Sequence, residues 1–269
     1  MTMALPLLVL EGITKIFNRG TQDEKIALDN LSLTIQAGDF VTIIGSNGAG
    51  KSTLLNVIAG THQPDAGKVL VRGEDVTRFK EHQMAAYLAR VFQDPTAGTA
   101  GKMSIEENMS LAEKRGQRRG LGWGVTKSRR GRYRDILKVL ELGLENRLKD
   151  KVGLLSGGQR QSLALLMTTL TLPRLLLLDE HTAALDPKTA DKVMELTEKM
   201  IVENKLTSLM ITHNMNQAIR YGNRMIMLHQ GRVQLDVSGQ DKENLTVSDV
   251  IDSFGKTLKD ETLFSAKEC

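Results

Sequence analysis

A glycine-rich segment, Gly45–Thr53, is the feature that most constrains how this 269-residue chain can fold. It lies between an apolar run, Phe40–Ile44, that predicts a strand and a segment, Lys51–Ala59, whose spacing predicts a helix. Glycine lets the backbone of such a loop turn closely and aim its N–H groups at an anion, and the helix start adds a favourable partial charge. This context predicts a phosphate-binding loop, although a glycine-rich turn that only caps a helix is the alternative.

The residue types in this phosphate loop suit a nucleoside triphosphate with magnesium. Lys51 offers a cation to the β and γ phosphates, Ser52 a hydroxyl to Mg²⁺, and Thr53 a further bond to the α phosphate. The loop residues expected to bind phosphate mainly through their backbone are Gly45, Ser46, Asn47, Gly48, Ala49 and Gly50. We therefore expect ATP and Mg²⁺ as ligands.

Short apolar runs alternate with helical patterns along most of the chain. After the opening run Met3–Leu10, which predicts a first strand, they lie at Leu31–Ile35, Phe40–Ile44, Val69–Arg72, Arg90–Phe92, Leu175–Leu178, Ser208–Ile211 and Met225–Leu228. The alternation predicts an α/β fold with a mostly parallel sheet. Residues 95–151 lack a convincing strand, which indicates a separate helical lobe.

The run Leu175–Leu178 ends in two carboxylates, Asp179 and Glu180. A buried parallel strand delivers such acids to the carboxyl edge of the sheet, where nucleotides bind. Asp179 is placed to hold Mg²⁺ through its water shell, and Glu180 to act as general base on the attacking water. The alternative for Glu180 is that it only caps the turn.

The segment Leu155–Gln159 reads Leu-Ser-Gly-Gly-Gln and opens a predicted helix, Gln159–Leu170. The hydroxyl of Ser156 and the amides of Gly157 and Gly158 form a second anion site at a helix start. The chain therefore carries two half-sites for phosphate. We call Leu155–Gln159 the signature segment.

In this order, the phosphate loop, the signature segment and the acidic strand resemble the nucleotide-binding subunits of ABC transporters, importers in particular. The resemblance covers about residues 7–239 and implies a P-loop NTPase core (7–94 and 171–239), an N-terminal antiparallel β subdomain and a helical lobe (about 95–170). Residues 240–269 would add a short helical tail, in which Thr246 and Asp249 have the spacing of a capping box.

The resemblance also implies partners and a location. Two such subunits face head to tail, so that ATP on one phosphate loop is covered by the other protomer's signature segment, including Gln159. Integral membrane permease subunits and an extracytoplasmic solute-binding protein would complete an importer. The chain would act at the cytoplasmic face of the cell membrane, and it has neither a basic leader nor an apolar run of the roughly 20 residues that cross a bilayer.

Four further positions match the family pattern. Phe17 is similar to the aromatic that stacks on adenine, or it packs in the core. Gln93 is similar to the glutamine that contacts Mg²⁺ and the attacking water at the lobe boundary. Asp186 matches the loop that passes between protomers, and it also suits the N-cap before Pro187. His213 matches the histidine that senses the γ phosphate.

His181 departs from the family pattern, which usually has proline after the catalytic glutamate. The change removes a fixed φ angle and adds a titratable ring next to Glu180 in sequence. A tolerated variant and a ring coupled to Glu180 are both open, and the first is favoured.

A basic segment, Lys114–Arg134, carries nine basic residues and no acidic one, and the rest of the chain has 27 basic and 32 acidic residues. With an aromatic residue, Trp123, in its interior, the segment suits a solvated loop, a contact with anionic lipid or a nucleic-acid patch. Similar insertions occur in ATPases that serve branched-chain amino-acid and ribose-like permeases. This analogy favours import of an amino acid or another small solute.

Two other functions remain as alternatives. A non-transport ABC ATPase acting on DNA or ribosomes usually has tandem domains or long coiled-coil insertions, which this sequence lacks, so no nucleic-acid partner is expected. An exporter would need a membrane domain from elsewhere. The single cysteine, Cys269, supports neither a disulfide framework nor a cysteine metal site.

Overall fold

The structure is a computed structural model that describes residues 5–117 and 124–253. Trp123, Cys269, the start of the Met3–Leu10 run and the end of the predicted tail lie outside the described residues. The strands are Leu8–Phe17 (β1), Lys25–Ile35 (β2), Phe40–Gly45 (β3), Ala66–Val71 (β4), Glu74–Asp75 (β5), Leu88–Val91 (β6), Leu175–Asp179 (β7), Thr207–Ile211 (β8), Arg224–His229 (β9) and Arg232–Ser238 (β10).

These strands form a six-stranded sheet, in the order β10-β9-β3-β8-β7-β6, and a four-stranded sheet, in the order β2-β1-β4-β5. In the larger sheet β3 pairs in parallel with β8 and β9, and β7 pairs in parallel with β6 and β8; only β10 is antiparallel to its neighbour. The smaller sheet is antiparallel throughout. The prediction of an α/β fold with a mostly parallel sheet and an antiparallel β subdomain is confirmed.

The N-terminal strand differs from its prediction. It begins at Leu8 and continues to Phe17, so Phe17 is its last residue and does not follow it. Register shifts interrupt its pairing with β2 between Leu10 and Ile13 and again before Ile16. These irregularities break the regular alternation of apolar and polar residues, which is why the pattern ended the strand too early.

The α-helices are Lys51–Ile58 (α1), Glu81–Met84 (α2), Ile105–Glu113 (α3), Lys127–Leu137 (α4), Gly157–Thr169 (α5), Pro187–Glu203 (α6), Met215–Arg220 (α7) and Gln240–Glu243 (α8). Single 3₁₀ turns lie at Lys138–Leu140, Leu144–Asn146 and Val152–Leu154. Helical structure also covers 247–253, where Thr246 and Asp249 exchange the two capping-box hydrogen bonds, at 2.9 and 3.2 Å. Within 5–117 and 124–253, no helix is long and apolar enough to cross a membrane.

Helices α3, α4 and α5 belong to a long insertion between β6 and β7, which are neighbours in the sheet. One core cluster joins this insertion to the sheet, because Leu163 and Leu166 of α5 are buried in the same cluster as Val91 and Leu178. A second cluster fills the space between the two sheets and α1. The insertion therefore packs on the sheet that carries the acidic strand.

Helix α4 contains most of the described part of the basic segment, and its arginines bind acids of the same insertion. Arg130 donates two hydrogen bonds to Glu106, at 2.5 and 2.8 Å. Arg132 and Arg129 both form ion pairs with Glu113. These pairings neutralise much of the charge on the helix, which favours the interpretation as a solvated element over a lipid or nucleic-acid patch.

Candidate functional site

The phosphate loop has the backbone geometry that its glycines predict. Gly45 and Gly50 have φ of 156° and 98°, and Gly50 is the N-cap of α1. A Cβ atom built on Gly45 would lie 2.4 Å from the carbonyl oxygen of Leu228, and one on Gly50 would lie 2.3 Å from that of Ala27. Only glycine fits these two positions, because both neighbours are backbone atoms.

Lys51 is buried at the start of α1, and its ammonium turns back over the loop. Its Nζ donates to the carbonyl oxygens of Gly45, at 2.7 Å, and Ser46, at 3.0 Å. Burial lowers the pKa of Lys51, while the charges of Glu180 and Asp179 act in the opposite direction. The acidic strand end and the loop cation therefore face one another.

The loop opens into a cleft of about 220 Å³. Its lining residues are Phe17, Lys25, Ala27, Asn47, Gly48, Ala49, Gly50, Lys51, Ser52, Thr53 and Glu180. Phe17 is half-buried at its rim, with an edge contact to His62 at 5.4 Å between ring centroids. An aromatic ring, a phosphate loop and a carboxylate thus share one cleft, which is the arrangement that a nucleotide requires.

The two acids at the end of β7 differ in their surroundings. Glu180 has φ of 43°, a left-handed conformation that is uncommon for this residue type. Its Oε2 lies 3.6 Å from Nδ1 of His213, which is largely exposed. Strained backbone of this kind concentrates at functional sites, and here it places the Glu180 carboxylate in the lining of the cleft, with the His213 imidazole next to it.

Asp179 has a partner that sequence reasoning missed. Arg90 of β6 donates from Nη2 to Oδ2 of Asp179 at 2.5 Å and from Nη1 to Asn56 of α1 at 2.7 Å. A cation among the apolar residues of a buried strand was the available signal. Lys25 was missed as well: its Nζ lies 3.3 Å from where a Cβ on Gly48 would stand.

The signature segment is built as a helix start. Ser156 caps α5, with its hydroxyl accepting from the amide of Gln159 at 3.3 Å, and Gln159 returns a bond to the Ser156 amide at 3.2 Å. Among the described residues that line the cleft, none belongs to this segment. The two predicted phosphate half-sites therefore lie apart within one chain.

Asp186 is the N-cap of α6, and its Oδ1 accepts from the Thr189 amide at 3.1 Å. Hydrogen bonds from the side chain and the amide of Thr189 lower the pKa of Asp186. The capping interpretation is thus correct, and a second role between protomers stays a prediction.

Gln93 is exposed and lies just beyond β6, outside the set of described residues that line the cleft. The carbonyl oxygen before it, on Phe92, accepts from Nε2 of buried Gln161 at 3.2 Å. The link from the Gln93 loop to α5 is therefore seen, whereas a contact of Gln93 with magnesium and water stays a prediction.

His181 points into the core. Its Nε2 lies 3.0 Å from the Thr197 hydroxyl, which itself donates to the carbonyl oxygen of Val193 at 2.7 Å. The histidine must therefore donate from Nε2, because the Thr197 proton is already used. Burial lowers the pKa of His181 to about 4, so the ring is neutral at pH 7. This environment favours the tolerated-variant interpretation over coupling with Glu180.

The donor set suits magnesium. Within the described ranges, no group of three or more His, Cys, Asp or Glu side chains could hold a metal by itself. The cleft instead offers the hydroxyl of Ser52, with the carboxylate of Asp179 at the facing strand end. Mg²⁺ characteristically takes one or two protein oxygens and completes its shell with phosphates and water. These residues fit the ion that a bound nucleotide would bring.

Comparison with known proteins agrees with this site. A family model described as ABC transporter matches residues 28–183. The chain is 44% identical to a tyrosine transport ATP-binding protein of Clostridioides difficile, with 92% of this chain and 98% of that one covered. It is 33% identical to a methionine import ATP-binding protein of Corynebacterium efficiens, with 82% and 60% covered.

A solved structure of a dimeric ATP-binding cassette in a post-hydrolysis state, bound to ADP and Pi, superposes with a TM-score of 0.72. It is 32% identical and covers 86% of this chain and 98% of that one. The phosphate loop, the facing acids and these similarities identify an ATPase. The chain belongs to the ABC transporter family, as an importer-type subunit that binds and hydrolyses ATP.

Proposed function

We propose that this chain powers the import of an amino acid or a similar small solute through separate membrane subunits, from the cytoplasmic face of the membrane. The tyrosine transport and methionine import proteins among its relatives support this substrate class. The observation that carries the proposal is the cleft itself, which unites Phe17, the phosphate loop and Glu180 in one protomer and excludes the signature segment.

Within the cleft, each residue has a proposed role. Adenine stacks on Phe17, whose ring stands at the rim, and the backbone amides of the phosphate loop bind the phosphates. Lys51 releases its bonds to the Gly45 and Ser46 carbonyls and binds the β and γ phosphates. Magnesium, held by Ser52, Asp179 and Gln93, would neutralise charge on the β and γ phosphates.

Glu180 acts as the general base that takes a proton from the attacking water. His213, at 3.6 Å from that carboxylate, contacts the γ phosphate from the other side. The left-handed backbone at Glu180 keeps the carboxylate at the strand end before substrate arrives.

Head-to-tail dimerisation completes the site. The helix start at Ser156–Gln159 is formed and capped, yet it lies outside the phosphate-loop cleft of the same protomer. In the proposed dimer it covers the γ phosphate on the other protomer, and Asp186 lies between the two sites. Hydrolysis then reopens the dimer, and the insertion between β6 and β7 passes the movement to the membrane subunits.

Replacement Glu180→Gln tests this proposal. We expect ATP binding to remain while hydrolysis falls by about 10²-fold or more, with a stable dimer in ATP that is absent in ADP. Sedimentation with each nucleotide measures the dimer, and Lys51→Ala, which removes the phosphate cation, serves as the control that binds weakly and stays monomeric. A monomeric E180Q protein with full hydrolysis would contradict the proposal.

The membrane partners need their own experiment. Purification of the tagged chain from its native membranes should yield integral membrane subunits, and ATPase activity of that complex should rise with a solute-binding protein loaded with an amino acid. Recovery of ribosomes or DNA instead, with activity stimulated by nucleic acid, would favour the non-transport alternative. The paired arginines of α4 argue against that outcome.

A further inference from the structure

Arg90 occupies an unusual place for a cation. It lies on β6, between Ala89 and Val91, both of which are buried, and opposite Leu177 of β7. Its side chain is 13% exposed, and that of Asp179 is 14% exposed. Burying a guanidinium at such a position has a substantial desolvation cost, which ion pairs and hydrogen bonds with specific partners must offset.

The partners connect two elements of the nucleotide site. Nη2 of Arg90 reaches Asp179 at the end of β7, and Nη1 reaches Asn56 on the helix that follows the phosphate loop. Its planar fork fixes both distances at once, because the two nitrogens cannot move independently. Arg90 therefore links Asp179, the predicted magnesium ligand, to α1, the helix that begins at the phosphate loop.

The third nitrogen of Arg90, Nε, and the face of its guanidinium plane have different surroundings. Nε is buried without a hydrogen-bond partner among the described residues. The guanidinium carbon lies 4.9 Å from the ring centroid of Phe92, the residue before Gln93. Leaving one donor unpaired costs stability, so packing alone does not explain why an arginine stands here.

We propose that Arg90 is a positioning residue for the magnesium site: it binds one oxygen of Asp179 and leaves the other free for the water shell of the ion. The inference rests on the proposed role of Asp179. Arg90 touches neither nucleotide nor ion in this scheme, and it acts by fixing the direction of the carboxylate. Removing such an outer partner typically weakens metal binding by about 10–100-fold.

The test measures how strongly magnesium assists nucleotide binding. In an E180Q background, which prevents turnover, the affinity for a fluorescent ATP analogue is measured in Mg²⁺ and again in EDTA. The magnesium gain is the ratio of the affinity in Mg²⁺ to the affinity in EDTA. We expect Arg90→Gln to leave the affinity in EDTA unchanged and to reduce the magnesium gain by about tenfold. Arg90→Lys should restore part of that gain, since it keeps the charge but loses the fork.

Three controls make the result specific. Arg174→Gln replaces an exposed arginine that immediately precedes β7, and it should change neither affinity. Asn56→Ala should lower the magnesium gain less than R90Q, because the Asp179 bond remains. If R90Q leaves Asp179 unpaired and unfolds the protein, R90Q/D179N is compared with D179N, and R90Q should then cause no further loss.

Equal weakening by R90Q in Mg²⁺ and in EDTA would mean a structural role only, and an unchanged magnesium gain would equally overturn the inference. A further tenfold loss in the D179N background would do the same. A parent protein whose binding ignores magnesium would instead refute the proposed metal site itself, so the two failures are distinguishable.

Discussion

Gly158 lies directly against Thr189: a Cβ atom built on Gly158 would come within 2.3 Å of Cγ2 of Thr189. Gly158 is the second residue of α5, and Thr189 lies in the first turn of α6, which Asp186 caps. The signature segment and the Asp186 loop are thus in van der Waals contact within one protomer. A shift of either one displaces the other.

This contact predicts that Gly158→Ala disturbs both segments. The added methyl has no room, so we expect a loss of about 1–3 kcal/mol in unfolding free energy and reduced ATP hydrolysis. Thr189→Ser removes the opposing methyl and should restore most of both losses in the double variant. Denaturant unfolding and steady-state hydrolysis measure the effects, and failure of T189S to rescue G158A would contradict the steric explanation.

His181 predicts an acid-dependent loss of stability. Its pKa is about 4 in the folded protein and near 6.5 when the chain unfolds, so the unfolded state binds more protons between these values. The stabilisation is complete above pH 6.5 and declines as the pH falls to 4, by about 3 kcal/mol. His181→Gln can still donate to Thr197 but does not titrate.

The comparison is made by denaturant unfolding at several pH values. Wild type should lose about 3 kcal/mol more than H181Q between pH 7.5 and 4. Parallel curves for the two proteins would show that the ring is not a buried neutral base. The pH dependence of hydrolysis above pH 6.5 should be the same in both proteins, since the ring is already neutral there.

We predict that Lys25 supplies a second cation for the phosphates of ATP, in addition to Lys51. Its ammonium stands beside Gly48 in the cleft and has no carboxylate within 4 Å among the described residues. We expect Lys25→Ala to weaken ATP binding by about fivefold, or roughly 1 kcal/mol, with a smaller effect in high salt. Adenosine binding should not change, because it carries no phosphate.

The matched control is Lys68→Ala, which removes the same charge from β4, outside this cleft. Titration calorimetry with ATP and with adenosine separates the phosphate contact from a change in the adenine pocket. An equal loss for both ligands would place Lys25 against the base or the ribose instead.

We predict that two ion pairs formed by residues in or next to helix α4 differ in their contribution to stability. Arg130 forms two bonds to the buried carboxylate of Glu106, whereas Lys138 and Asp135 are paired at the surface. Arg130→Gln should therefore lower the free energy of unfolding measurably, because it leaves the carboxylate of Glu106 poorly paired. Lys138→Gln should have a clearly smaller effect, because its partner Asp135 remains solvated. Chemical unfolding of both variants checks the difference, and equal costs would contradict it.

Apolar alternation was sufficient to predict the parallel sheet, because its strands are short, buried and leucine-rich. The same pattern missed β10, although Val233, Leu235 and Val237 alternate with exposed residues as an edge strand requires. The start of β2 was also missed, since Lys25 and Ile26 are exposed and only Ala27 begins the buried pattern. Edge positions carry weak signals because burial does not fix their residue types.

Motifs located the phosphate loop, Glu180 and the signature segment, since each depends on adjacent residues in a fixed order. They did not locate Arg90 or Lys25, whose roles depend on contacts across strands that are distant in sequence. The direction of the His181 ring was equally hidden, because its partner Thr197 lies 16 residues away on another element. Local chemistry is readable from the sequence, whereas pairing across the sheet is not.

Because β6 and β7 are parallel, the insertion leaves the carboxyl end of β6, its near stem, and returns at the amino end of β7, its far stem. The two stems lie about 13 Å apart along the strands, at 3.3 Å per residue. The far stem is clamped, since the amides of Arg174 and Leu175 both donate to the Tyr87 carbonyl, at 3.0 and 3.2 Å. The near stem, at Phe92, precedes Gln93, the predicted magnesium ligand. We therefore expect that a movement of the near stem on nucleotide binding would pivot the insertion about the Tyr87 contacts, with the largest displacement in the part of the insertion farthest from Tyr87.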